Sequence, residues 1–231
     1  VSCGKDIHIA SAEGLIQFSN KVSSGTSYSG TTVFLDADID FSGGLSEEFE
    51  PIGKGSKSFI GTFDGQGYTI NNLTISSSLQ SVGLFGYTHR ATIRNVVLDS
   101  SCSVMSSYSL STAYAGGIIG ECYGYTIENN VNMASISFTG NITGSNSLSL
   151  GGIAGYLYAS YNYVTVRNCA NYGSVTHSGT AENAYIGGTV GYSYGCSIQN
   201  CLNYGTITHN GTTSNELYIG GIVGYAYSGT S

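Results

Sequence analysis

Asp36, Asp38 and Asp40 stand at alternate positions in "VFLDADIDF". On an extended strand that spacing sends three carboxylates to one face. Like charges so placed hold a cation or a proton among them. Calcium is the metal such a set would take, and Glu47 falls at the twelfth position counted from Asp36. Phe41, however, stands where a calcium-binding loop of that spacing requires glycine. The structural reading of the same phrase is that it supplies turn and cap hydrogen bonds. Four further acids, Asp64, Asp99, Glu121 and Glu128, could do acid–base work on a sugar if two of them came within roughly 5–10 Å. Only Glu121 and Glu128 fall in one repeat, and neither has an acidic counterpart in the repeats on either side. No catalytic residue is assigned on this basis.

His177 and His209 occupy equivalent places in "GSVTH" and "GTITH". Two imidazoles one repeat apart could bind a metal or respond to pH, but with no carboxylate beside them they make a poor metal site, and they read as surface residues of the repeat. Cys169 and Cys201 are equivalent too, each directly after an asparagine. Stacked strands would set their Cα atoms about 5 Å apart, within disulfide range, although parallel Cβ vectors strain the bridge. A bond and a pair of buried thiols both remain open. Sequons at Asn72, Asn141 and Asn210 are glycosylation candidates, no more frequent than chance gives in a chain so rich in Asn, Ser and Thr.

Tyrosine is the largest surplus, at 19 residues. Tyr87, Tyr156, Tyr192 and Tyr225 follow the second glycine of a recurring G-φ-φ-G element, where φ is apolar. Tyr185 and Tyr218 precede that element, with Tyr114 equivalent, and Tyr172 and Tyr204 sit in "NYG". In-register repeats turn these into aromatic stripes. Stacked rings cover a coil and shed water. They also offer rigid amphipathic contact area suited to sugars or protein partners.

Positioning those residues requires a repeat. The G-φ-φ-G element begins at Gly83, Gly117, Gly152, Gly188 and Gly221, with spacings of 34, 35, 36 and 33 residues. A second column follows the first four copies as Thr92-Ile93-Arg94-Asn95, Thr126-Ile127-Glu128-Asn129, Thr165-Val166-Arg167-Asn168 and Ser197-Ile198-Gln199-Asn200. A period in this range means stacked supersecondary units. The segments are short, β-branched and bounded by Gly and Asn, which predicts strands and turns. Three short strands per repeat fit one coil of a parallel β-solenoid, whereas a propeller blade needs about 40–45 residues. Ile and Val at the column centres point inward, Gly supplies corners with positive φ, and Asn95, Asn129, Asn168 and Asn200 stack at one corner. The fold class is therefore all-β, with a short helix in "SAEGLIQFSNKV" as an N-terminal cap. Ser11 is its N-cap and Leu15, Phe18 and Val22 its apolar face. Residues 1–80 form the cap and first coils, and 81–231 the repeat coils of one continuous solenoid. The final repeat stops before its T-I-x-N column, as if more chain or another molecule supplied the next coil. The opening on Val1 rather than Met reads as a processed or excised fragment.

Composition narrows the partners. Net charge is −7, only 9% of residues are charged, and no Lys or Arg follows Arg167. Phosphate neutralisation needs cationic side chains, so nucleic acid is excluded as a partner, and no apolar run is long enough for membrane insertion. The six cysteines include no CxxC, which disfavours a zinc knuckle. No cofactor is called for. A polar, uncharged, hydroxyl-rich surface points to an extracellular or cell-surface location.

The phrases "VFLDADIDF", "GTFDGQGYTINNLTI" and "SVGLFGYTHRATIRNVVL", followed by "GGIxG…TIxNCxNYGxVT" repeats, resemble the GLUG-motif solenoid family of secreted and surface proteins, from about Ile7 to Tyr227. The resemblance implies a right-handed parallel β-helix in adhesin-like extracellular chains, with no fixed catalytic set. Some relatives accompany a zinc protease domain, but H-E-x-x-H is absent here, so no protease activity is implied. The expected function is a non-enzymatic structural or adhesive module. It would bind a glycan or protein partner, or further copies of itself through the open C-terminal coil into a filament. The alternative is a carbohydrate-active β-helix, a polysaccharide lyase or hydrolase.

Overall fold

The computed structural model describes residues 6–45, 47–159 and 163–228. Every pairing between its named strands is parallel, and four sheets run along one axis. The front sheet has ten strands, including Phe85–Arg94, Ile119–Glu128, Ala154–Tyr158 and Val190–Tyr194. A six-strand sheet of short segments follows the corner, among them Val97–Leu98, Val131–Asn132 and Ala170–Asn171. The back sheet has five strands, including Thr74–Ser77, Ser103–Ser106 and Ser135–Phe138, and the five-strand side sheet includes Ala113–Gly116, Ser147–Gly151 and Thr180–Gly187. The chain visits front, short, back and side sheets in turn, then begins the next coil. This is the parallel β-solenoid that the repeat period predicts.

Alternation within each strand builds the core. Phe63, Ile93, Ile127, Val166 and Ile198 lie in register down the front sheet. Ile75, Val104, Ile136, Val175 and Ile207 do the same at the back. All but the last member of each column are buried, each contributing about 1.5–3 kcal/mol relative to exposure. The G-φ-φ-G element stacks as expected, with Ile118 N–H donating to the Ile153 carbonyl, Ile153 to Thr189 and Thr189 to Ile222. The final described layer exposes Leu217 and Ile219.

The cap is a helix, Ala12–Ser23, with the Ser11 hydroxyl accepting from Gly14 N–H at 3.2 Å. Leu15, Phe18 and Val22 are buried, and the Phe18 ring meets Phe59 and Phe63 of the first coils at 5.7 and 6.0 Å.

Two expectations need correction. Glycine holds positive φ at turns such as Gly67, Gly124 and Gly195, but the stacked corner is held by Asn95, Asn129, Asn168 and Asn200, at φ 50 to 55°, and the G-φ-φ-G glycines are not in that conformation. Asn129, Asn168 and Asn200 each donate to the corner amide one coil earlier, at 3.2, 3.2 and 3.4 Å. Glycine is required for closeness instead: a Cβ on Gly152 would lie 2.2 Å from Cγ of Asn171 and 2.3 Å from the Gly188 carbonyl oxygen. Nor do Asp36, Asp38 and Asp40 share a strand face. The strand Thr32–Leu35 ends before them and the next begins at Ile39, so the corner turns each carboxylate to a different partner.

Candidate functional site

The residue after the second glycine lies on the outer face of the front sheet, and register stacks Tyr87, Glu121, Tyr156, Tyr192 and Tyr225 in one column. Two residues further on, the same face carries His89, Tyr123, Tyr158, Tyr194 and Tyr227. The adjoining edge of the side sheet adds Tyr114, Tyr185 and Tyr218 in a column interrupted by Ser149. Ring contacts join these columns. Tyr156, Tyr192 and Tyr225 stack at 5.2 and 5.3 Å, and Tyr158, Tyr194 and Tyr227 follow at 4.8 and 5.1 Å. Tyr114 reaches Tyr156 at 4.6 Å, and Tyr185 bridges Tyr192, Tyr218 and Tyr225 at 5.2, 5.9 and 5.2 Å. With Tyr87 joined through Tyr123 at 5.8 Å, which itself meets Tyr156 at 6.3 Å, eleven tyrosines form one sheet of rings.

Of the tyrosines singled out by the sequence, Tyr87, Tyr156, Tyr192, Tyr225, Tyr185 and Tyr218 belong to this sheet. Tyr172 and Tyr204 stack on each other at 5.2 Å, 51% and 69% exposed, with no ring contact to the rest among the described residues. Sequence reasoning missed Tyr123, Tyr158, Tyr194 and Tyr227. The signal for the last three was the i, i+2 phrase in "GYLY", "GYSY" and "GYAY", which a strand sends to one face, and Tyr123 stands at the equivalent place in "GECY".

Glu216 meets the edge of the ring sheet, accepting from the Tyr185 hydroxyl at 3.5 Å, and Glu121 stands within it. Glu121 accepts from the Ser81 hydroxyl at 2.6 Å. Burial raises its pKa, against hydrogen bonds from Ser81 and Tyr123 that lower it. Burial, and then the nearby Glu121 carboxylate, push the Tyr87, Tyr114 and Tyr123 phenols above the ordinary tyrosine value. The Tyr87, Tyr114 and Tyr123 phenols therefore stay neutral at physiological pH.

The other candidate acids are taken up structurally, Asp99 by the Ser101 N–H at 2.8 Å. Arg94 Nε donates to Asp64 at 2.8 Å and Arg167 Nε to Glu128 at 2.7 Å. These residues form a column that alternates in sign, Asp64, Arg94, Glu128, Arg167, a regularity visible in T-I-R-N, T-I-E-N and T-V-R-N once aligned. Asp36 accepts from His8 at 2.9 Å and Asp38 from Thr69 N–H at 2.8 Å. Asp40 accepts from Ser42 and Asn72, bonds that hold its carboxyl below the usual range. Among the described residues no group of three His, Cys, Asp or Glu is placed to hold a metal ion.

His177 is fully buried rather than on the surface, a correction to the sequence reading. It stacks beneath Phe138 and meets His209 Nδ1 to Nδ1 at 2.8 Å. One ring donates and the other accepts. Burial, and then the neighbouring imidazole, lower the His177 pKa to about 4. Cys169 and Cys201 are thiols in this structure, not a disulfide. Their mutual hydrogen bond raises Cys169 and lowers Cys201 to about 7. Asn72, Asn141 and Asn210 are all exposed.

A second asparagine ladder went unread. Asn132 donates to Asn171 and Asn171 to Asn203, each at 2.8 Å, inside the corner against which Gly117, Gly152 and Gly188 pack. Aligning "VNMAS" with the two "NYG" phrases would have exposed it.

No helix among the described residues is long and apolar enough to cross a membrane. No family model matches the chain, so the GLUG-type motifs stand as a resemblance. An alignment 132 positions long that covers 52% of this chain is 33% identical to Halomucin from Haloquadratum walsbyi (strain DSM 16790 / HBSQ001), of which it spans 1%. The fold is similar to the crystal structure of a "putative immunoglobulin A1 protease" from Bacteroides ovatus, with a TM-score of 0.56 and 20% identity over 96% of this chain and 74% of that one. Likeness at that identity shows a shared fold and carries no activity.

Proposed function

We propose that this chain is a non-enzymatic extracellular or cell-surface module, a rigid solenoid that binds uncharged glycan on its tyrosine sheet. The observation that carries the reading is the contiguous sheet of eleven phenols on one outer face. Rings fixed by backbone register lose little entropy on binding, and each presents an apolar face with a hydroxyl at its rim. The scarcity of charge supports a neutral ligand. The similarity to a stretch of Halomucin, a mucin by name, supports a surface setting.

Titration with neutral oligosaccharides tests the proposal. Tyr156→Ala with Tyr192→Ala should weaken binding about tenfold or more while leaving the far-UV spectrum unchanged. Neutral glycans that fail to bind the parent, or bind the double variant as well, would overturn it. A carbohydrate-active enzyme is the second reading, favoured by Glu121, whose raised pKa suits a general acid. Depolymerisation of a bound glycan that stops in Glu121→Gln would replace the first reading with this one.

A further inference from the structure

A groove of about 640 Å³ lies across four successive coils, adjoining the proposed glycan face at His89, and is lined by Ser29–Thr32, Ile60–Thr62, His89, Arg90, Thr92 and Tyr125. No carboxylate lines it, in a chain of net charge −7. Arg94 and Arg167 are each ion-paired along the charge column, whereas Arg90 is exposed and makes no ion pair among the described residues. Tyr125 beside it is 48% exposed.

The backbone here is unusual. Arg90 has φ 53° and Tyr125 φ 80°. Register places Arg90 opposite Gly124 of the next coil, and Gly124 itself has φ 93°. Glycine holds this bend without strain, yet the groove wall carries a guanidinium and a phenol there. Sparsely populated conformations on bulky residues collect at binding sites. The wall also carries a hydroxyl ladder, Thr32, Thr62 and Thr92, in strand register.

We propose that this groove is a second binding site, selective for an acidic saccharide. The Arg90 guanidinium takes the sugar carboxylate in a forked pair. Tyr125 offers its face to the ring, and the threonine ladder meets the sugar hydroxyls. His89 adds a further ring nitrogen at the rim. The site does not depend on the tyrosine sheet and stands or falls separately.

The test compares a galacturonate trimer with a neutral galactose trimer by calorimetry and by amide shifts. Read from the amide shifts of Thr62, Thr92 and Tyr125, which report the groove and not the tyrosine sheet, the acidic trimer should bind the parent at least about tenfold tighter than the neutral one, the worth of one charge-assisted hydrogen-bond pair. Arg90→Gly, which places the neighbouring coil's own residue at this bend, should fold normally and lose that preference. Arg90→Lys should retain part of it. The Tyr156→Ala, Tyr192→Ala variant should keep it whole. Equal affinity for the two trimers, no binding of either, a preference unchanged in Arg90→Gly, or one lost with the tyrosine sheet would each overturn the proposal.

Discussion

His177 shows how a repeat position changes character when its neighbours stack over it. In the coil above, the same inward place is Phe138, and the imidazole is buried as that ring is. The folded state holds His177 neutral down to about pH 4, while the unfolded chain takes up its proton near the ordinary value of 6.5. Stability from this group is therefore intact above pH 6.5 and is lost as pH falls from there towards 4. Thermal midpoints measured between pH 7.5 and 5 should drop for the parent, and the drop should shrink in His177→Phe. An unchanged slope would assign the acid sensitivity elsewhere. Asn171 is the corresponding test of the inner corner. Asn171→Ala leaves the Gly173 carbonyl and one N–H of the Asn132 amide without partners, the other still donating to Ala134, at about 1–3 kcal/mol for each buried group left unpaired. Urea denaturation measures the loss, and Asn168→Ala at the exposed corner should cost less.

At the level of the coil, the spacing of G-φ-φ-G and T-I-x-N made the solenoid, its axis and its vertical neighbours legible, because a strand's two-residue period and a fixed repeat leave few ways to stack. The helix was legible from Ser11 and three apolar positions. What the glycines do was not, because the clash they avoid comes from a carbonyl of the next coil and from an asparagine well over a dozen residues on in their own. Gly152→Ala should therefore destabilise by about 3 kcal/mol or more, at the upper end of overpacking, whereas Gly43→Ala, with open space around its Cβ, should be nearly neutral. Equal effects of the two in a denaturation series would refute the packing account. The candidate site was half legible. Columns after the glycine were read, but the second column two residues on was passed over. Asp36, Asp38 and Asp40 misled because alternation was assumed to continue through a corner.

For the whole molecule, each coil touches mainly the coils above and below, so stability accrues turn by turn. Removing residues 152–187 joins Gly151 to Gly188 in the place Gly187 holds now, since Gly151 and Gly187 are register partners. The shortened chain should fold to a rod about 4.8 Å shorter, seen by small-angle scattering, with parent-like strand content. Removing half that length should break the register and the fold. The ring sheet carries a further consequence. The protein contains no tryptophan, so its near-ultraviolet absorption belongs to tyrosine. Stacked phenols at about 5 Å, held in one chiral array, couple their transition dipoles. Circular dichroism in that band becomes a built-in gauge of how many turns stand in register, readable without any label.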